Sequence, residues 1–360
     1  MIKKLDIYIL RKFLGTFVFA IGLISIVIIV FDISEKLDSF IKKHVPVHAI
    51  IFDYYCNFVP YLVNLFSPLF TFISVVFFTS RLAARSEIIA ILSSGVSFRR
   101  LLYPYIVGSF MIASLSLYLN HVVIPNANKT RLAFENMYTR DKFMNVSKNI
   151  HKQISPGVYI YMLGFNVDMN QATKFSLEKM VGQELRYKLT AETATWDSVK
   201  KDWKLFNYYT RTIAPDGTES LVSGMYKDTV LGFYPTEFKQ RVDNVQAMNY
   251  KELNEYIDKE RMEGSTNLMF YEVEKDQRTA FPFATFILTF IGVSLSSRKV
   301  RGGTGLHVGI GLLIAFSFIL FMQVSTTFAE GGIISPFVSV WIPNLLYGVL
   351  AFFLLRTAPK

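Results

Sequence analysis

The sequence predicts an α-helical membrane protein. Six transmembrane helices, three and three, flank an inserted antiparallel β-domain of jelly-roll-like form. Three observations predict it. Charged residues make up only 18% of the chain against 51% hydrophobic ones, whereas a soluble domain carries about 25% charged residues. Six stretches hold no Asp, Glu, Lys or Arg: 13–31, 54–80, 101–128, 279–297, 302–329 and 331–355. Each reaches or approaches the roughly 20 apolar residues that cross a bilayer. Between the third and the fourth, residues 129–278 are charged and carry the alternation of strands.

The first stretch reads as a span and not as a cleaved signal, because FDISEKLDSF follows it without a small-residue cleavage site. Cys56 is the single cysteine, so no intrachain disulfide forms and redox compartment is left open. The net charge of +10 fits Lys- and Arg-rich cytoplasmic loops better than nucleic-acid binding. Lys3, Lys4, Arg11 and Lys12 precede span one; Arg81, Arg85, Arg99 and Arg100 lie between spans two and three. Arg298, Lys299 and Arg301 lie between spans four and five, and Arg356 and Lys360 follow span six. These alternate segments share one side, which the positive-inside rule makes the cytoplasm, with both termini. The charged insertion then lies outside.

In that insertion GVYIYMLGF, KFSLEKMV, ELRYKLTAETATW, WKLFNYYTRTI and ESLVSGMYKDTVLGF alternate aromatic or β-branched residues with polar ones, with APDGT as a turn. Short strands so spaced predict an antiparallel sandwich or jelly roll. Tyr159, Tyr161, Leu185, Tyr187 and Leu189 are its expected inward residues, filling either a closed core or a slot for acyl chains. YKELNEYIDKERMEG closes it as a helix with Leu253, Tyr256 and Ile257 on one face and Gly264 at its end. The expected domains are 1–128 (spans one to three), 129–265 (the β-domain) and 266–360 (spans four to six).

The parts of an enzyme are missing. GGTGLHVGIG has glycines but no phosphate-loop lysine; Gly305 and Gly309 form a GxxxG pair that predicts close helix approach. The five histidines are scattered, which argues against a metal site, and His307 reads as an interfacial residue. No carboxylate interrupts a span, which argues against a proton-driven carrier. No cofactor is expected on this chain.

Residues 80–100, SRLAARSEIIAILSSGVSFRR, are too charged to span and too apolar for a plain loop. On a helix Ile88, Leu92 and Val96 align, while Glu87, Ala90 and Ser94 form another face. Gly95 can end this helix and Ser97 can cap the next. The segment is either an interfacial helix with a solvated Glu87 or a docking peg for a cytoplasmic ATPase. On the outer side Lys36, Lys42, Lys43 and Arg278 either hold an anionic lipid head group, or snorkel or pair locally with Glu35, Asp38 and Glu274.

SPLFTFISVVFFTSRLAARSEIIAILSSGVSFRRLLYP resembles the second-span-to-coupling-helix signature of the lipopolysaccharide export permeases LptF and LptG, the YjgP/YjgQ family. YILRKFL, FDISEKLD, LTAETATWD, WKL, EKDQRTAFPFATFILTFIGVSLSSR and GGIISPFVSVWIPNLLYGVLAFFLL extend the resemblance along the chain. It implies a half-transporter in the bacterial inner membrane, paired with a second LptF/LptG-like permease and carried by a dimer of an LptB-like ATPase that holds the ATP and Mg²⁺. Lipopolysaccharide would pass through a periplasmic jelly roll to LptC/LptA-like proteins. Arg85, Glu87, Ala90 and Gly95 match the coupling helix near 85–95. Lys36, Lys42 and Lys43 lie near the place where the family holds substrate-binding basic residues. The alternative from another class is a structural or scaffolding protein that anchors a β-domain, for which one span would suffice.

Overall fold

The computed structural model describes residues 3–140, 149–239, 241–297 and 303–357. Arg298, Lys299, Arg301, Lys360 and the side chain of His307 lie outside the described residues. Two compact units emerge: 1–139 with 245–253 and 269–360, and 140–244 with 254–268.

The first unit is helical. Its long helices are α1 (Lys4–Lys42), α2 (Val47–Ala84), α4 (Phe98–Tyr138), α6 (Leu268–Ser296), α7 (Gly303–Glu330) and α8 (Pro336–Thr357), with the short α3 (Glu87–Ser93) between α2 and α4. Among the described residues six helices are long and apolar enough to cross a membrane. They run past their charge-free stretches, because helical hydrogen bonding continues wherever charged side chains can reach water. Lys36 and Lys42 therefore stand on α1, and α4 continues to Tyr138. Helices α2 and α4 each contain a π-helical stretch, Ile50–Tyr55 and Leu119–Val123.

Two apolar clusters hold this unit. In one, Ile9, Phe13, Phe17 and Ile21, four residues apart on α1, pack with Leu101, Leu102, Tyr105 and Ile112 of α4 and with Ile88 of α3. In the other, Phe72 and Val76 of α2 pack with Leu288 and Ile291 of α6 and Phe318 of α7. The expected close approach at Gly305 and Gly309 is not found among the described residues: a Cβ at either would meet none of their atoms within 4 Å. Close approach occurs at Gly108, where a Cβ would lie 2.5 Å from the Phe13 ring, and at Gly311, where it would lie 3.2 Å from Phe72.

The second unit is an antiparallel sheet of β1 (Ile150–Ser155), β2 (Val158–Met162), β3 (Gly164–Asn166), β4 (Gln171–Val181), β5 (Glu184–Asp197), β6 (Asp202–Ile213) and β7 (Glu219–Thr229). The order is β1-β2-β4-β5-β6-β7, with β3 also paired to β4. A row of residues creases it. Lys174, Glu192, Asn207 and Met225 fall between the paired positions of β4, β5, β6 and β7. Lys174 and Asn207 take left-handed φ of 48° and 51°. Side-chain alternation flips at this row: Phe175 and Ala172, Ala191 and Ala194, Tyr208 and Leu205 all join one core. Strands that bend in this way turn a sheet corner, so both halves face the same interior. Trp203 is fully buried there, and its indole N–H donates to the Phe233 carbonyl at 3.1 Å.

The inward residues need one correction. Ile160 and Met162 are the buried residues of β2, so Tyr159 and Tyr161 face the other side, opposite Glu178 and Ser176. Leu189 is buried, and Tyr187 packs against the core as expected. Both parities of VYIYM are apolar, so alternation alone could not choose between them. Helix α5 (Tyr250–Glu263) forms as read, with Leu253 and Ile257 buried and Gly264 at φ 70° beyond its end.

An ion cluster closes the interior of this unit. Lys152 lies 2.5 Å from Glu237 and 2.9 Å from Glu263. Burial opposes the Lys152 charge, but the two carboxylates outweigh it and hold the ammonium above its ordinary 10.5. Burial likewise opposes the Glu237 charge, and Lys152 outweighs it, holding the carboxyl below its ordinary 4.5. A raised lysine stabilises below its unfolded value and a depressed glutamate above its own. The cluster is thus fully stabilising between those two values, and its Glu237 part is lost as pH falls below 4.5. Amide exchange at residues 150–155 and 259–263, taken relative to the intrinsic rate at each pH, is expected to rise on acidification through that range. Glu237→Gln should raise it at neutral pH and flatten the acid response; an unaltered acid profile in that variant would contradict the assignment.

Candidate functional site

Ser86 turns the chain at the end of α2 with φ 58°, and α3 starts at Glu87. Ile88 is the anchor, 1% exposed. Leu92 and Val96 are half-buried. This is the expected apolar face, and it packs on the protein's own helices. Glu87 is partly buried, while Ile89, Ala90, Ser93 and Ser94 are exposed. Gly95 sits beyond the helix at φ 84°, its N–H donating to the Leu92 carbonyl at 3.1 Å. The Ser97 hydroxyl accepts from the Arg100 N–H at 3.3 Å and caps α4. Arg85 belongs to the turn that closes α2. Arg81, Arg85 and Arg99 are all exposed around this short helix. The arrangement presents one carboxylate and small side chains within a basic rim, a surface that can accept charge-assisted hydrogen bonds.

The four basic residues of the other end do not converge. Lys36 pairs with Asp32 at 2.6 Å, bonds to the Tyr54 hydroxyl, and lies 4.5 Å from the Tyr54 ring centre. The Tyr55 hydroxyl donates to the same Asp32 at 2.9 Å. Lys42 makes a fully solvated pair with Asp38 at 3.3 Å, a weak contact by its exposure. Lys43 is exposed at the end of α1. Arg278 is 6% exposed, and its guanidinium donates to the Met248 carbonyl at 2.7 Å, the Val245 carbonyl at 2.8 Å and Glu274 at 3.2 Å. Local pairing thus accounts for Lys36 and Arg278. Lys42 and Lys43 are left facing solvent.

A polar chamber of about 110 Å³ lies between α2, α4 and α6, lined among others by Tyr61, Asn64, Asn120, Asn128 and Gln246. Asn64 donates to Asn120 at 2.7 Å and accepts from Ser116 at 2.6 Å, and Asn120 donates to the Arg278 carbonyl at 3.1 Å. Nearby Arg131 is buried against Tyr61, 5.0 Å from its ring centre, with Glu135 at 3.8 Å. An apolar cavity of about 230 Å³, lined by Leu69, Phe281, Leu288, Phe318 and Met322, follows between α2, α6 and α7. It has the shape and lining to take hydrocarbon. Charge does not mark these carboxamides, yet an Asn in the middle of YLVNLF is a legible sign of a polar interior.

Among the described residues no group of His, Cys, Asp or Glu could hold a metal ion. No curated protein matches the chain. Residues 7–357 match the family described as lipopolysaccharide export system permease LptF/LptG. That match takes in all six membrane helices and the inserted sheet, and the chain belongs to the LptF/LptG permease family of the lipopolysaccharide export system.

Proposed function

We propose that this chain is the permease half of an ABC transporter that extracts lipopolysaccharide from the inner membrane and passes it to a periplasmic protein bridge. The family match over residues 7–357 carries the reading. A dimeric, LptB-like ATPase docks on Glu87, Ala90 and the turns at Arg85 and Gly95 from the cytoplasm, and ATP and Mg²⁺ stay on that partner. Both termini share that side. A second LptF/LptG-like permease completes the lipid path, and the β-unit, in the periplasm, hands lipid to LptC/LptA-like proteins. The chain itself hydrolyses nothing. A scaffold that only anchors a β-domain would not need the six apolar helices. Pull-down of a soluble ATPase by the detergent-solubilised chain, with hydrolysis stimulated by lipopolysaccharide, tests the reading; absence of any bound ATPase would remove it.

Lys42 and Lys43 are the cations left for an anionic head group. Each juxtamembrane lysine contributes about 1 kcal/mol toward anionic lipid. Lys42→Ala with Lys43→Ala should therefore lower co-purified lipid and lipid-stimulated hydrolysis roughly tenfold or more, with folding intact. Lys36→Met should instead reduce stability, because it leaves Asp32 without its cation. Mass spectrometry of the bound lipid checks both; wild-type lipid content in the double variant would leave Lys42 and Lys43 as solvated charges.

A further inference from the structure

Helix α1 differs from its neighbours in two respects. Like α7 it carries no proline, whereas the two helices it packs on do, α2 at Pro60 and Pro68 and α4 at Pro104 and Pro125. Prolines break the hydrogen-bond ladder and bend helices. A 39-residue helix without one is a rod about 58 Å long. Both ends of that rod are also tied by charged side chains.

At the first end Asp6 is 5% exposed, accepts from the Lys3 N–H at 2.7 Å, and pairs with the guanidinium of Arg100. Arg100 stands in the first turn of α4, just after the turn that follows α3, and lies 5.0 Å from the Tyr103 ring centre. At the other end Asp32 and Lys36 are held by Tyr54 and Tyr55, which lie on the π-helical stretch of α2. Between Asp6 and the middle of α1 runs the stripe of Ile9, Phe13, Phe17 and Ile21, with the Phe13 ring seated on Gly108.

A stripe of apolar residues spaced by four is attractive but not directional. Against a one-turn slip, the ratchet by which packed helices change register, it offers only the seat of Phe13 on Gly108, since Pro104 and Ile112 stand one turn away. A partly buried ion pair at its end forbids that slip, because parting it strands a carboxylate that is almost fully shielded from water. We propose that α1 is the rod that carries displacement of α3 to the end where Lys36, Lys42 and Lys43 lie, and that Asp6 and Arg100 are the positioning residues that make α1 follow α4. The inference rests on the reading that an ATPase docks at residues 85–95. Asp6 and Arg100 touch neither nucleotide nor lipid in this account.

The test uses the complete complex of both permeases and the ATPase in lipid vesicles, with Cys56→Ser as background. Asp6→Asn and Arg100→Gln should keep the ATPase bound and hydrolysing at close to the wild-type rate, while lipid released per ATP falls about fivefold or more. Asp6→Cys with Arg100→Cys should be uncoupled in the same way, and a short bismaleimide joining the two thiols should restore the ratio. A staple that only stabilises the fold would lower hydrolysis and release together and leave their ratio alone. Two results would overturn the proposal: an unchanged ratio in the single variants, or a crosslinked pair that stays uncoupled. Loss of the ATPase from the unsubstituted complex would instead defeat the docking reading, and pull-down measures that separately.

Discussion

Glu87→Arg is expected to yield a folded, membrane-inserted protein that no longer retains its ATPase. Glu87 opens a seven-residue helix whose anchoring to the rest of the fold falls to Ile88, not to the carboxylate. Stability should therefore be little changed. A hydrogen bond to a charged group contributes about 1.5–3 kcal/mol, and every 1.4 kcal/mol is roughly a factor of ten in affinity. Glu87→Ala should weaken association about ten- to a hundredfold. Reversal to Arg adds repulsion to any basic cleft that receives the carboxylate, and should weaken it further. Ile88→Ala is the contrasting variant: it empties a fully buried site at a cost of about 2–5 kcal/mol and should lower stability first. Co-elution of permease and ATPase on size exclusion, with thermal unfolding of the permease alone, separates the two. Normal recovery of the ATPase by Glu87→Arg would mark Glu87 as a solvated surface charge.

Arg278→Ala is expected to destabilise the protein severely without a selective effect on lipid. The guanidinium spans the carbonyls of Met248 and Val245 and the carboxylate of Glu274. Its removal leaves a largely shielded carboxylate and two carbonyls without their donors, a loss of about 3–5 kcal/mol. Arg278→Lys keeps the charge but not the planar fork that reaches two carbonyls at once, so it should recover only part of the loss. Lipid bound per folded molecule should be unchanged in the lysine variant. A stable Arg278→Ala protein that has lost its lipid would return Arg278 to the substrate-binding residues.

Arg278 also shows where sequence reasoning stops. Its charge and position at the edge of a span were legible; its partners, some thirty residues earlier in the chain, were not. The spans themselves were legible because bilayer crossing imposes a length and excludes charge. Gly95 and Ser97 were legible because a left-handed turn and a helix cap each demand particular residues. The faces of β2 were not, since Tyr159, Ile160, Tyr161 and Met162 are apolar on both sides of the strand. The strand Ile150–Ser155 also passed unnoticed: HKQIS has too little alternation to read alone and forms by pairing with β2. The crease at Lys174 and Asn207 was hidden for another reason. Left-handed φ at a lysine carries no compositional mark, and it reverses which residues of β4 and β6 face inward. Asp6 with Arg100 is a contact across 94 positions, which no local pattern announces.

The most direct measurement follows lipid itself. Vesicles containing this chain, its partner permease and the ATPase, loaded with lipopolysaccharide, are incubated with a soluble periplasmic acceptor that carries a photo-crosslinker. A second photo-crosslinker replaces Leu189, which faces the interior of the β-unit. Lipopolysaccharide should become crosslinked to the acceptor and to position 189 only while ATP is hydrolysed, and Glu87→Arg should abolish both signals. Crosslinking of equal intensity without ATP, or none at either position in vesicles whose ATPase is bound and active, would contradict it.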